Sequence, residues 1–159
     1  TVSLSAAPLT VTGTTAPSKT YDGTNTATVT GGSLSGTKGS DSITLTQAGT
    51  YSSVDAGSNI SITMNDSVSG TGVSTNYSLT QPTVTGTINK APLGITVSGI
   101  YSGSTTLSPS SFTTTGLVNS ETISTLTSAT LNSKNVADNT TNYVSAIAIN
   151  SGKIGRAHV

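Results

Sequence analysis

Apolar and polar residues alternate along several short stretches of the chain. In residues 59–66, the apolar side chains of Ile60, Ile62 and Met64 are separated by single polar residues. The same period of two recurs in two further stretches, residues 42–47 and 83–89. Because successive side chains of a strand point to opposite faces, this pattern predicts strands with one buried face and one face in water.

Turn-forming residues lie between the predicted strands. Short strands at this close spacing predict an all-β fold of small antiparallel β-sandwich-like modules, either Ig-like or β-grasp-related. A helix over residues 120–137 is disfavoured by the serine, threonine and asparagine content of that stretch. Glycine clusters with serine, asparagine or a second glycine at residues 31–32, 35–36, 55–59 and 69–72.

Three short motifs occur twice along the chain, in the same order. Ordered recurrence of this kind predicts two copies of one module in tandem, of which the second is shorter. The motifs are Ala-Pro-Leu (residues 7–9 and 91–93), Tyr-X-Gly (21–23 and 101–103) and Asn-Tyr (76–77 and 142–143).

The two Ala-Pro-Leu steps set the predicted domain boundaries. Residues 1–8 are predicted to be the last strand of a preceding module, residues 9–90 the first module, and residues 93–153 a second, incomplete one. Proline fixes its own φ and favours extended geometry in the residue before it. We therefore expect Pro8 and Pro92 to join neighbouring modules stiffly, in an elongated arrangement.

The composition argues against several classes of function. More than a third of the 159 residues are serine or threonine, only 8% are charged, and the formal net charge is zero. Nucleic-acid binding would lack its main electrostatic term, and no apolar run is long enough to insert into a membrane. Without cysteine, neither disulfides nor thiolate metal sites can form.

The first Tyr-X-Gly motif has two possible interpretations. Lys19, Tyr21 and Asp22 could be parts of a reactive site, but an acid or base needs partners brought in from elsewhere and a perturbed pKa. Asp22 and Gly23 also favour a tight turn, which Tyr21 would close with its ring while its hydroxyl stays at the rim. The second copy has Ser102 in place of the aspartate, and this favours the structural interpretation.

The remaining motif residues are also predicted to be structural. Asn76 and Tyr77 are expected to mark the last hairpin of the first module, and Pro92 stiffens the junction. Their predicted counterparts, and those of the turn, are Tyr101, Gly103, Asn142 and Tyr143.

These motifs, in this order, resemble those of the YDG domain and its MBG relatives, which are repeat modules of large bacterial surface and secreted adhesins, including filamentous-haemagglutinin-like proteins. The resemblance covers nearly all of the first module and rests on fewer motifs in the second. It implies an all-β spacer or adhesion module, and it implies no catalytic residues.

The last six residues, 154–159, depart from the pattern of the modules. "IGRAHV" matches a translation of a common sequencing adapter, which predicts an artefactual tail on a metagenomic fragment; a natural chain terminus is the alternative. Under either interpretation, Arg156 and His158 are set aside as functional evidence. The rest of the chain has no histidine, so neither a catalytic triad nor a histidine metal site can be built.

We therefore predict no enzyme activity, no cofactor, and no catalytic or metal-binding residues. The carboxylates are scattered and lack the spacing of a calcium loop, although calcium at module junctions and a Lys–Asn isopeptide crosslink remain open. Alternating threonines also fit an ice-binding surface, but no fixed short repeat supports it, and the wet faces of half-buried strands explain them.

The expected function is that of a structural repeat, a stalk or spacer, in a secreted or cell-surface bacterial adhesin that projects a distal binding region. The expected partners are neighbouring modules of the same chain and, through another region, a host or cell-surface glycan or protein. The alternative is a carbohydrate- or protein-binding module that acts directly in attachment. A ligand site of that kind needs exposed aromatic side chains.

Overall fold

The computed structural model describes residues 1–70 and 72–150, which fold into two units. Unit 1 is Thr1–Asn89, and unit 2 begins at Lys90. The strands of unit 1 are β1 (Ala7–Thr12), β2 (Lys19–Thr20), β3 (Thr26–Ala27), β4 (Ser33–Ser35), β5 (Thr44–Thr46), β6 (Gly49–Tyr51), β7 (Gly57–Met64), β8 (Ser67–Ser69), β9 (Tyr77–Thr80) and β10 (Val84–Asn89), with one helical turn, α1 (Val73–Asn76), before β9.

These strands form three small sheets in unit 1. The first has the order β4-β1-β9, the second β2-β10-β7-β6-β3, and the third pairs β5 with β8. Most pairs are antiparallel, but β1 runs parallel to β9 and β2 runs parallel to β10. Both parallel pairs therefore join the start of unit 1 to its last two strands.

The core of unit 1 follows from the alternation in the sequence. In β7 the buried residues Ile62 and Met64 are separated by exposed Thr63, and in β10 Val84, Gly86 and Ile88 are buried. Most of the apolar residues that are buried in unit 1 come from the two larger sheets, while Tyr21 lies in the corner after β2 and Val73 in α1. The full set is Leu9, Val11, Tyr21, Ala27, Tyr51, Ile62, Met64, Val73, Tyr77, Val84 and Ile88.

Over residues 90–150, unit 2 has fewer strands and fewer buried residues than the described part of unit 1. Two sheets form, one pairing β11 with β13 and one with the order β12-β14-β15. Ala91, Ile123, Leu126 and Ala129 are its buried apolar residues within the described range. The elements are β11 (Gly94–Ser98), β12 (Thr106–Leu107), β13 (Ser111–Thr115), β14 (Thr125–Leu131), a 3-10 turn (Val136–Asp138) and β15 (Val144–Asn150).

The prediction of an all-β fold with small, mostly antiparallel sheets is confirmed. Strands β5 and β10 lie within two of the alternating stretches, and β7 overlaps the third but begins two residues earlier, at Gly57. The disfavoured helix at residues 120–137 is absent, since strand β14 occupies the middle of that stretch. The tandem, elongated arrangement of modules stays a prediction.

The boundaries of the predicted modules also stay predictions. Within the described chain, residues 1–6 form no strand, and Ala7 and Pro8 belong to β1. The predicted tail at residues 154–159 lies outside the described residues. The hairpin predicted at Asn76 and Tyr77 was wrong, because β9 pairs with β1 whereas β10 lies in the other sheet.

Candidate functional site

The Tyr-Asp-Gly motif forms a corner between β2 and β3. Gly23 has a φ of 74°, a backbone conformation that glycine adopts without steric cost. The Asp22 carboxylate accepts hydrogen bonds from the backbone N–H of Thr24 at 2.9 Å and from its hydroxyl at 2.8 Å. The short side chain of Asp22 thus caps the turn that follows it, as expected for an Asx-turn.

Lys19 holds this corner from the preceding strand. Its Nζ lies 2.8 Å from Asp22 Oδ1 and donates to the hydroxyl and carbonyl oxygens of Thr24 at 3.0 and 3.1 Å. A further bond, of 3.3 Å, reaches the carbonyl oxygen of Thr26. The ammonium group therefore binds the carboxylate and two backbone carbonyls of one turn.

Electrostatics at the corner favour a carboxylate that is charged at neutral pH. The hydrogen bond from Lys19 is the main cause that lowers the pKa of Asp22 to about 2; burial, the next largest effect, opposes it, and the two bonds from Thr24 lower the pKa further. A carboxylate with so low a pKa is a weak proton acceptor at neutral pH. This arrangement suits a structural clamp better than a general base.

Tyr21 lies on the inner side of the corner. Only 8% of it is exposed, and its backbone N–H donates to the carbonyl oxygen of Asn89 at 2.8 Å. This bond continues the parallel pairing between β2 and β10. Tyr21 thereby links the corner to the last strand of unit 1.

Tyr77 is also buried in unit 1, and its hydroxyl makes two hydrogen bonds. Its hydroxyl donates to Asp41 Oδ2 at 2.6 Å and accepts a hydrogen bond from the backbone N–H of Lys38 at 2.9 Å. The hydrogen bond to Asp41 and burial raise the pKa of Tyr77. Asn76 lies at the exposed end of α1, where its N–H donates to the carbonyl oxygen of Gly72 at 2.9 Å.

The motif residues of unit 2 are placed differently. Gly103 has a φ of 76°, close to that of Gly23, but Tyr101 is 61% exposed. Pro92 is exposed and precedes β11. The glycine conformation is thus similar in the two units, whereas the burial of the tyrosine before it is not.

The second Asn-Tyr pair is not the topological counterpart of the first. Asn142 and Tyr143 lie just before β15, which pairs antiparallel with β14, whereas Tyr77 begins a strand that pairs parallel with β1. Tyr143 is 64% exposed, and its N–H donates to Asn132 Oδ1 at 2.7 Å. A two-residue match at this point had no strand pattern to support it.

Sequence reasoning missed several residues that hold unit 1 together. Asp66 is buried, and its backbone exchanges two hydrogen bonds, both of 2.8 Å, with the side-chain amide of Gln81. Tyr51 is buried against Gly86, where a Cβ would be 2.5 Å from the tyrosine hydroxyl. The Gly86 position inside an alternating strand was a usable signal, since glycine there often marks a close approach.

The described residues bring no larger reactive group together. No cluster of three or more potential metal-ligating side chains occurs within residues 1–70 and 72–150. Among the same residues, no helix is long and apolar enough to cross a bilayer.

The fold and the corner define an all-β module whose signature residues bind one another. A family model described as the YDG domain matches residues 5–85, which include the corner and extend into β10. The chain therefore belongs to the YDG domain family, and this membership points to an adhesin-like or SRA-type protein. No curated protein and no solved structure matches it.

Proposed function

We propose that the chain is a structural repeat, a stalk or spacer, of a large secreted or cell-surface bacterial adhesin, and that it holds a distal binding region away from the cell. The closed corner is the observation that carries this proposal. Lys19, Asp22 and Thr24 use their polar groups on one another and on the backbone of the turn. Groups engaged in this way stabilise a turn and are not presented to a substrate.

The strand pairing of unit 1 suits a load-bearing role. In a parallel pair, pulling one strand towards its N-terminus and the other towards its C-terminus shears all the inter-strand hydrogen bonds at once. The β1–β9 pair runs from Ala7↔Tyr77 to Thr10↔Thr80, and β2 pairs with β10 in the same sense. Tension between the two ends of unit 1 is thus resisted by these bonds together.

The surface chemistry supports an extracellular spacer over a binder of charged partners. The formal net charge is zero, and hydroxyl-bearing residues occupy many exposed strand positions. Such a surface stays hydrated without a strong field that would attract nucleic acid. It favours the adhesin-like interpretation and makes neighbouring modules of the same chain the natural partners.

Single-molecule force spectroscopy of the whole chain tests the load-bearing role. Unit 1 should unfold in one discrete event that releases roughly 300 Å of chain, at about 3.4 Å per residue. Unit 2 provides an internal control, because within the described residues its first strand, β11, pairs only with antiparallel β13. Unfolding of unit 1 at or below the force of unit 2 would contradict the proposal.

Two exposed tyrosines favour a second candidate function. Tyr101 and Tyr143 of unit 2 are 61% and 64% exposed, and exposed aromatic rings are common in carbohydrate- and protein-binding sites. A glycan array on the whole chain separates the two candidates. Reproducible binding that is lost in Tyr101→Ser and Tyr143→Ser would establish an adhesive module.

A further inference from the structure

The corner contains Asp22–Gly23, the dipeptide type most prone to one spontaneous backbone reaction. The amide nitrogen that follows an aspartate attacks the side-chain carboxyl carbon; an N–C bond forms, the bond from that carbon to its hydroxyl breaks, and water leaves. Water then opens the resulting five-membered imide, and opening at the main-chain carbonyl leaves isoaspartate. A following glycine favours the attack, because it has no side chain to obstruct it. The chain has no other Asp-Gly pair and no Asn-Gly pair.

Isomerisation at this position would damage the corner directly. Isoaspartate routes the backbone through the side chain, which adds one methylene to the main chain and replaces the capping carboxylate. Asp22 follows Tyr21, which is buried and whose N–H donates to the carbonyl oxygen of Asn89 at 2.8 Å. A longer backbone at residue 22 would therefore disturb both the turn and its attachment to β10.

The geometry of the folded corner opposes the attack. Three donors converge on one carboxylate oxygen, Asp22 Oδ1: the N–H of Thr24 at 2.9 Å, the hydroxyl of Thr24 at 2.8 Å, and Lys19 Nζ at 2.8 Å. Closing the imide ring requires the carboxyl carbon to turn towards the nitrogen of Gly23. Because this rotation moves Oδ1 away from its donors, the three contacts must break before the ring can close.

Lys19 opposes the reaction in a second way, through the protonation of the carboxyl group. The protonated acid loses a hydroxyl as water, whereas the ionised carboxylate is a poor electrophile. The pKa of Asp22 is lowered from 3.8 to about 2, with the hydrogen bond from Lys19 as the main cause. Above pH 4, this reduces the protonated fraction by roughly one to two powers of ten.

The ammonium group is itself held in position. The side chain of Lys19 is 19% exposed, and its Nζ donates to the carbonyl oxygens of Thr24 and Thr26 at 3.1 and 3.3 Å. These bonds tie Lys19 to the same turn that it shares with Asp22. Its contact with the carboxylate therefore belongs to the fold of the corner.

We propose that Asp22–Gly23 is a site of backbone isomerisation that the folded corner keeps closed, and that Lys19 suppresses isoaspartate formation there as a positioning residue. Lys19 does this by holding the carboxylate in its turn geometry and in its ionised form. The inference goes beyond the spacer function, because it concerns the chemical lifetime of the backbone and holds whether or not the module bears load.

Incubation of the whole chain at pH 6, in buffer and in concentrated urea, tests the protection. Peptide mapping with electron-transfer fragmentation distinguishes isoaspartate from aspartate at each position. We expect isoaspartate to form at residue 22 at least tenfold more slowly in buffer than in urea. Equal rates in the two conditions would overturn the proposal.

Matched variants test the role of Lys19. Lys19→Met removes the donor, and Lys90→Met removes the same charge at an exposed residue after β10. In buffer, Lys19→Met should raise the rate at residue 22 at least threefold, and Lys90→Met should leave it unchanged. Equal rates in the two variants would overturn the role of Lys19.

Asp41 provides an internal control for unfolding in the same samples. Its carboxylate accepts a hydrogen bond from the Tyr77 hydroxyl at 2.6 Å in the folded chain, and it precedes a serine, a small residue. If Lys19→Met only unfolds the chain, isoaspartate should rise at residue 41 as well. A rise confined to residue 22 supports the proposal, whereas rises in the same proportion at both aspartates would assign the protection to the fold as a whole and overturn it.

Discussion

Gly36→Ala should strongly destabilise unit 1, although it adds a single methyl group. Gly36 follows β4 with a φ of 103°, in the region that L-residues rarely adopt. The added Cβ would also lie well inside van der Waals contact of the carbonyl oxygen of Pro8. Since this oxygen belongs to the backbone of β1, it cannot rotate away, and the β1–β4 pair must shift.

The expected cost has two parts. The left-handed backbone costs an alanine about 1–2 kcal/mol, and the forced shift of packed strands adds about 1–3 kcal/mol. A total of about 3 kcal/mol is a large fraction of the roughly 5–15 kcal/mol that stabilises a typical domain. At about 4–8 °C per kcal/mol for a domain of this size, the melting temperature of unit 1 should fall by roughly 12–24 °C.

Differential scanning calorimetry of the whole chain measures this shift. Gly39→Ala is the matched control, because Gly39 also has a positive φ, of 58°, but no atom of the described residues lies within 4 Å of its added Cβ. The control has only the backbone cost and should lower the melting temperature by roughly 4–8 °C per kcal/mol of strain. Equal shifts for the two variants would refute the steric argument.

Three further predictions concern the tyrosines and the corner. Tyr77→Phe should cost about 1–3 kcal/mol, because the N–H of Lys38 loses its acceptor and Asp41 loses a donor; urea unfolding measures it. Tyr51→Phe should be neutral or stabilising by up to about 1 kcal/mol, because its buried hydroxyl has no hydrogen-bond partner in the described part of the chain. If Tyr51→Phe destabilises the protein more than Tyr77→Phe does, both predictions are contradicted. Asp22→Asn should cost at most about 1 kcal/mol at pH 7, because the ion pair is partly exposed. As folding lowers the pKa of Asp22 from 3.8 to about 2, the stability of the parent chain over this variant should be fully present above pH 4 and be lost as the pH falls through about 2. A difference that is undiminished at pH 2 would rule out the charged carboxylate as its cause.

Local patterns in the sequence were enough to predict the strands and the corner. The alternation around Ile62 and Val84 indicates that each strand has one buried face, and this pattern is the same whichever strand is the partner. The aspartate and glycine of the corner define a turn through their own backbone preferences. Both inferences depend only on residues that are close to one another in the sequence.

Strand pairing could not be predicted in the same way. The hairpin expected at Tyr77 failed because the alternation of β9 is equally compatible with β1 or β10 as its partner. The contact of Tyr77 with Asp41 joins distant parts of the chain, and no local pattern connects them. For the same reason, the sequence does not show that a Cβ on Gly36 would collide with the backbone of β1, or that one on Gly116 would collide with the backbone just before β11.

The burial of the tyrosines gives each unit its own optical reporter. Tyr21, Tyr51 and Tyr77 are enclosed in unit 1, whereas Tyr101 and Tyr143 face solvent in unit 2. Because the chain has no tryptophan, these phenols dominate its near-ultraviolet absorption. Circular dichroism in that range therefore follows the loss of structure in unit 1, while mild nitration in a parallel sample labels the exposed tyrosines of unit 2, so the two units can be followed separately without introducing a foreign probe.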